Sequence, residues 1–358
     1  MPDHDDQSTL KITSPDAFAQ LVPHLIGFTP EESLVISVIQ HGRIDLTARV
    51  DLAEMQPAGE VEDLLDRIWT RFPDAGALLT AYTSDQRAGW SLLGRCTSYL
   101  PSGAAYLTML VDQDTWHLPD GQTGAIDPFG RIAAEASYHG LQRLPSRADL
   151  AATFASPPDS AELSARVDAA LDALPDPADR DAVIAHTSDL IRRNLPAGGI
   201  DPHDAVQLGV LSQHGQAREL ALLAMTHHDA NQHLALWRTV VNHVPEHGAE
   251  PPLFLAGMAA WIAGEGAAVS VALERLEQLG QDNLFQPALI LDRLVHQITP
   301  PTTWDALRTD GLAIAAPTVR DAVAAIHTPT TWETIPKHPL NRSHQPPAAA
   351  PPAPGIAI

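Results

Sequence analysis

Three small groups of side chains have the types and spacing that can do chemistry. Asp112-Gln113-Asp114 closes a β-rich run, Ala104–Val111. Two carboxylates two residues apart at the carboxyl end of a strand can hold Mg²⁺ and a phosphate. The same triplet also suits a polar hairpin turn, because Asp favours turns. Tyr82, Thr83 and Asp85 stand at the end of another β-rich run, Ala77–Thr83. Ligands of open α/β sheets sit outside the carboxyl ends of strands, so these three and Asp112 would share a small-ligand cleft if the two strands are neighbours. The simpler reading has Ser84 capping a helix with its neighbours merely exposed. His227-His228-Asp229 with His233 is the densest metal-competent cluster. A helix starting at Asp229 puts His233 one turn along on the same face, and two imidazoles with a carboxylate suit Zn²⁺. Alternatively Asp229 caps the helix and the histidines are solvated, since a chain with 17 histidines clusters some by chance. Arg49 and Asp51 share the polar face of a strand and read as a structural ion pair.

Several chemistries lose their usual signatures. The chain has no GxxxxGK[ST] phosphate loop, no GxGxxG, no HExxH and no GxSxG. No motif specifies a cofactor. The single cysteine, Cys96, excludes a disulfide framework and a cysteine-based zinc site and fits a reducing compartment. Net charge is −22, with 21 acidic and 10 basic residues in 1–150 and 23 and 12 beyond. Neither half is a basic module, so nucleic acid and anionic membranes are not expected partners. The opening MPDHDDQSTL lacks an apolar segment and predicts no signal peptide. A cytoplasmic protein is expected.

The elements that must position these groups follow from periodicity. Ser14-Pro15-Asp16 starts a helix whose apolar face is Phe18, Leu21, Val22 and Leu25, with Gly27 as its stop. Ser33–Ile39 and the alternating Ile44–Val50 form a hairpin about His41-Gly42-Arg43. Val61, Leu64, Leu65, Ile68, Trp69 and Phe72 make a second helix. Ala77–Thr83 is the third strand, and a helix capped by Ser84 carries Trp90, Leu93, Cys96 and Leu100. Ala104–Val111 is the fourth strand and Thr115–Leu118 a fifth. The strand–helix–strand spacing implies parallel pairs with crossover helices, and the first hairpin makes the sheet mixed.

After a short helix at 133–139 and a linker over Pro145–Pro158, only helices are expected: 159–173, 177–194, 203–212, 215–225, 229–243, 252–264, 266–279, 284–297 and 302–327. Leu255, Gly257, Ala260 and Trp261, then Gly264-Glu265-Gly266, then Ala268, Ala272 and Leu276, are spaced as in a tetratricopeptide-type helix pair. Trp237 and Trp261 read as core. The expectation is α+β/α: an N-terminal α/β domain (1–145) with a mixed sheet, a linker (146–158), an all-α domain (159–335) and a disordered Pro/Ala-rich tail (336–358).

With those segments in place, the chain resembles the actinobacterial domain-of-unknown-function 4192 family. The resemblance is carried by SPDAFAQLVPHLIGFTPEESLVISVI (Ser14–Ile39), RIDLTARVDL (Arg43–Leu52), AYTSDQ (Ala81–Gln86), YHGLQRLPSRADLAATFA (Tyr138–Ala155), HLALWRTVV (His233–Val241) and PPLFLAGMAAWIAGEGAAVSVALERL (Pro251–Leu276). It implies the two-domain arrangement and an actinobacterial or actinophage source, and no activity. Three functions are left to compare. The leading one is a non-catalytic interaction or regulatory protein with a helical domain that docks another protein, its α/β domain binding a small molecule or partner. The others are a metal-dependent hydrolase or phosphoryl-transfer enzyme at Asp85, Asp112 and Asp114, and a structural subunit of a phage or cellular assembly.

Overall fold

A computed structural model of the chain describes residues 11–138, 141, 143–197, 200–280 and 285–328. The expected tail beyond Pro336 and the opening decapeptide lie outside the described residues. Helix α1 (Pro15–Leu25) starts as its sequence dictates, with the Ser14 hydroxyl accepting from the Ala17 N–H at 3.1 Å. Strands β1 (Ser33–Gln40) and β2 (Arg43–Asp51) form the expected hairpin. His41 and Gly42 both take positive φ, 50° and 75°, the paired left-handed turn that matches strand twist. Helix α2 (Glu60–Arg71), β3 (Gly76–Tyr82), α3 (Gln86–Tyr99), β4 (Ala105–Asp112) and β5 (Thr115–His117) follow in order. A sixth strand, β6 (Thr123–Ala125), extends the sheet; its Thr-Gly-Ala has no apolar alternation to announce it.

The strand order is β2-β1-β3-β4-β5-β6. Only β3 and β4 pair in parallel, with α3 as their crossover, and every other neighbouring pair is antiparallel. The sheet is therefore mixed, as expected. β2 and β3 run the same way, but β1 lies between them. Strand β3 is buried at every position, so both of its faces are covered. Ala77, Leu79 and Ala81 pack with α2 and α3, while Leu78 and Tyr82 face α1 and the later helices.

After α4 (Arg131–Tyr138), the 146–158 stretch read as linker contains a helix, α5 (Arg147–Ala152), capped by Ser146. Leu150 and Phe154 from this stretch are buried. The Arg238 guanidinium lies 4.7 Å from the Phe154 ring centroid, and Asn242 Nδ2 donates to the Thr153 and Ala155 carbonyls. The helices that follow are α6 (Ala161–Asp172), α7 (Arg180–Asn194), α8 (Pro202–Leu211), α9 (Gly215–Ala224), α10 (Ala230–Val241), α11 (Glu250–Ala263), α12 (Gly266–Leu279), α13 (Ala288–His296), α14 (Trp304–Ile314) and α15 (Pro317–His327). The expected single helix at 302–327 is two, because Pro317 forces Ala316 into an extended conformation.

Helix α11 is buried from Pro251 to Ile262, as befits a helix apolar all round. Its close contact with α12 depends on Gly257, where a Cβ would stand 3.2 Å from Ala272 Cβ and 2.4 Å from Leu291 Cδ2. One apolar cluster runs from the sheet (Val35, Leu78, Met109) through α1 into Trp237, Leu255 and Trp261. Among the described residues, no helix is long and apolar enough to cross a membrane.

Candidate functional site

The parallel pairing of β3 with β4 places Tyr82 opposite Val111, and the Thr83 N–H donates to the Val111 carbonyl at 3.0 Å. Tyr82, Thr83, Asp85 and Asp112 thus meet at one end of the sheet. Their polar atoms are mostly engaged. The Thr83 hydroxyl donates to the Glu32 carboxylate (2.9 Å to Oε2) and accepts from the Asp85 N–H at 3.1 Å. Asp85, not Ser84, caps α3: its Oδ1 accepts from the Ala88 N–H at 3.0 Å. Ser84 was the expected cap because it opens the polar run, but the chain enters the helix one residue later. Gln86 Nε2 donates to Asp112 Oδ2 at 3.2 Å. The Tyr82 ring is buried in the core, its hydroxyl has no partner among the described residues, and burial raises the phenol well above its ordinary pKa. Gln113 has φ 53°, and Asp112 pairs with Thr115, so Asp112-Gln113-Asp114 forms the tight turn between β4 and β5.

Beside Asp85 lies a cavity of about 250 Å³ between α3 and the turn after β2, lined by Gln56, Asp85, Arg87, Ser91, Leu92 and Arg95. The sequence signal for it is the spacing of Arg87, Ser91 and Arg95, which places them on one face of α3. Arg95 is held by Glu62 (2.9 Å) and the carbonyls of Met55 and Pro57, and its hydrogen bond holds the Glu62 carboxyl below the usual range. Cys96 is no nucleophile here, because burial pushes its thiol up to about 12.

The histidine cluster divides. His227 and His228 are exposed; His227 Nδ1 lies 3.2 Å from the Ile262 carbonyl oxygen and Nε2 lies 3.8 Å from Asp305 Oδ1. Asp229 precedes α10 and is buried, and its Oδ1 accepts from the Thr226 N–H at 2.7 Å. His233 is fully buried one turn along, with Nε2 3.9 Å from Asp229 Oδ1. Neither of its ring nitrogens makes a well-formed hydrogen bond among the described residues, and the Ala224 backbone is the nearby polar group that acts on the ring. Burial pushes this imidazole down to about 4, against the opposing pull of Asp229 and the Ala224 backbone. The other carboxylate oxygen, Oδ2, stands 3.7 Å from Nδ1 of His327, which α15 brings in from far downstream without any local signal. The structure therefore joins Asp229 to His233 and His327 and leaves His227 and His228 outside. As they stand, no three His, Cys, Asp or Glu among the described residues are gathered closely enough to hold a metal ion.

Arg49 and Asp51 form the expected ion pair at 2.5 Å, with Arg49 Nε donating to Ser33 Oγ and the guanidinium 5.8 Å from the Phe28 ring centroid. Trp237 and Trp261 are core residues.

A mixed sheet covered by helices on both faces and continued by an all-helical half defines an α+β protein. The family model described as "Domain of unknown function (DUF4192)" matches residues 15–302, and the chain belongs to that family. No curated protein and no solved structure matches the chain.

Proposed function

We propose that the protein is a non-catalytic interaction or regulatory protein whose helical half docks another protein. The carrying observation is the apolar exposure of its last helices. Leu289, Ile290 and Val295 on α13 and Leu307 and Ile314 on α14 are exposed, Ile314 at 87%. Exposed large apolar side chains mark interaction surfaces where they gather, and these five lie on two helices consecutive in sequence. The chain's charge of −22 favours a partner whose apolar contact face is flanked by basic side chains. The strand-end residues support the reading from the opposite side. Thr83 and Asp85 are engaged in hydrogen bonds that hold the fold, and Asp112 and Asp114 belong to a turn. The reading places the protein in an actinobacterial or actinophage cytoplasm, with α11 and α12 as a tetratricopeptide-like hairpin within a helical domain, and without nucleic-acid or membrane partners.

The test is affinity capture from the native host with the full chain as bait. A specific partner is expected with the wild type and lost with Ile290→Asp combined with Ile314→Asp. Capture of no partner, or capture that this double variant leaves intact, refutes the proposal. The cavity beside Asp85 favours a second reading, a small-molecule ligand or an enzyme centred on Asp85, Asp112 and Asp114. Alanine at all three positions should leave both capture and host phenotype unchanged if docking is the function, and should abolish the phenotype if chemistry is.

A further inference from the structure

We propose that two copies of the chain pair through the outer edge of β2, antiparallel and centred on Thr47, so that their sheets join into one. β2 ends the sheet, and β1 is its neighbour on the inner side. Along that pairing the hydrogen bonds alternate. The Leu52 N–H donates to the Glu32 carbonyl at 2.9 Å, which makes Val50 with Leu34 and Ala48 with Ile36 the hydrogen-bonded pairs. The N–H and C=O groups of Thr47 and Arg49 therefore point away from β1. Among the described residues, no backbone group of another element bonds to them. An open row of this kind is a template for a further strand.

The charges of β2 select that strand. Each charged residue has an opposite charge at equal spacing across Thr47: Asp45 matches Arg49, and Arg43 matches Asp51. A second copy laid antiparallel about Thr47 sets Asp45 of each chain against Arg49 of the other, twice by symmetry. Sliding the copies by two residues preserves the hydrogen bonding but opposes like charges. One direction faces Asp45 with Asp51, and the other faces Arg43 with Arg49. The charges thus fix both the partner and the register. Asp45 is free for this role, because the β1–β2 register steps between Val38 and Ile39 and passes over it, and it is exposed. Arg49 is held at the edge by Asp51 and by Ser33 Oγ. Helix α12 begins beside the edge at Gly266, where a Cβ would stand 3.9 Å from the Thr47 carbonyl oxygen; a glycine keeps a side chain off that acceptor.

The test is sedimentation equilibrium of the full chain over a concentration series, with amide hydrogen exchange read along β2. A monomer–dimer equilibrium is expected, with exchange at Thr47 and Arg49 slowing as concentration rises. Asp45→Arg, at an exposed position, sets arginine against arginine at both symmetric contacts and should weaken dimerisation by about tenfold or more. Thr47→Pro removes an N–H that has no partner within one copy, and edge strands accept proline at such positions, so it should act in the same direction. Ile290→Asp combined with Ile314→Asp should leave the dimer unchanged. A monomer at every concentration overturns the proposal, and so does a dimer that Asp45→Arg leaves intact. Loss of the dimer with Ile290→Asp and Ile314→Asp overturns it too, because the apolar side chains of α13 and α14 would then be the contact.

Discussion

The strand end of the sheet and the junction of α10 with α15 hold similar side chains in opposite conditions. At the strand end, the Thr83 hydroxyl has both a donor and an acceptor, Asp85 caps a helix, and Asp112 accepts from Gln86. At the junction, the buried Asp229 carboxylate stands 3.9 and 3.7 Å from two imidazoles without a hydrogen bond to either, and the buried His233 ring makes no well-formed hydrogen bond among the described residues. Carboxylates at strand ends invite a catalytic reading from position alone. Their hydrogen bonds show that this group holds the β3–α3 connection in shape. A satisfied polar group has its cost met within the fold, whereas an unsatisfied buried one needs a further explanation.

The largest effect that sharpens this contrast is the response of the protein to acid. The unfolded His233 imidazole takes up its proton near 6.5, and the folded one does so only near 4. Between those values the unfolded state binds more protons, so stability rises with pH. This contribution is fully present above about 6.5, falls as pH drops, and is wholly lost below about 4. The loss amounts to roughly 3 kcal/mol at 1.36 kcal/mol per pKa unit. Other groups titrate in the same range, so the measurement is the difference between wild type and His233→Leu in urea unfolding at pH 7 and pH 4. The variant should equal or exceed the wild type at pH 7 and lack this part of the acid loss. Equal acid sensitivity in both proteins would remove the contrast between the two regions.

Thr83→Val comes next. It deletes a hydroxyl that links Glu32 to the Asp85 N–H and leaves both without that partner. The expected cost is about 2 kcal/mol, read from the urea midpoint at constant slope. A neutral result would mean that the strand end is not held by these bonds.

Local pattern made most of the fold legible. The alternation of Ile44, Leu46, Ala48 and Val50 against polar neighbours marked β2, and the apolar stripe of α2 marked that helix. What escaped was set by contacts distant in sequence or by very short segments. β6 is three residues with no apolar pattern. The order that inserts β1 between β2 and β3 depends on packing across the whole sheet. The 146–158 stretch looked like a linker from its prolines, yet Leu150 and Phe154 bury themselves against the helices. At the candidate sites, the i, i+4 pair Asp229 and His233 was legible because a helix fixes that spacing. His327 was not, because only the packing of α15 brings it to Asp229.

The two smallest effects divide the strand end itself. Asp85→Ala removes a helix cap and should cost about 1 kcal/mol, with Asp85→Asn retaining much of it, since Asn also caps well. Asp112→Asn should change stability by less than about 0.5 kcal/mol. Asp112 is only half-buried and accepts a single side-chain bond, from Gln86 at 3.2 Å, while its backbone pairing with Thr115 is untouched by the substitution. Its carboxylate is thus the strand-end group least needed by the fold. If Asp112→Asn left stability unchanged but altered the host phenotype, Asp112 would be serving a ligand, and the strand end would have to be divided into a structural part, Thr83 and Asp85, and a functional one.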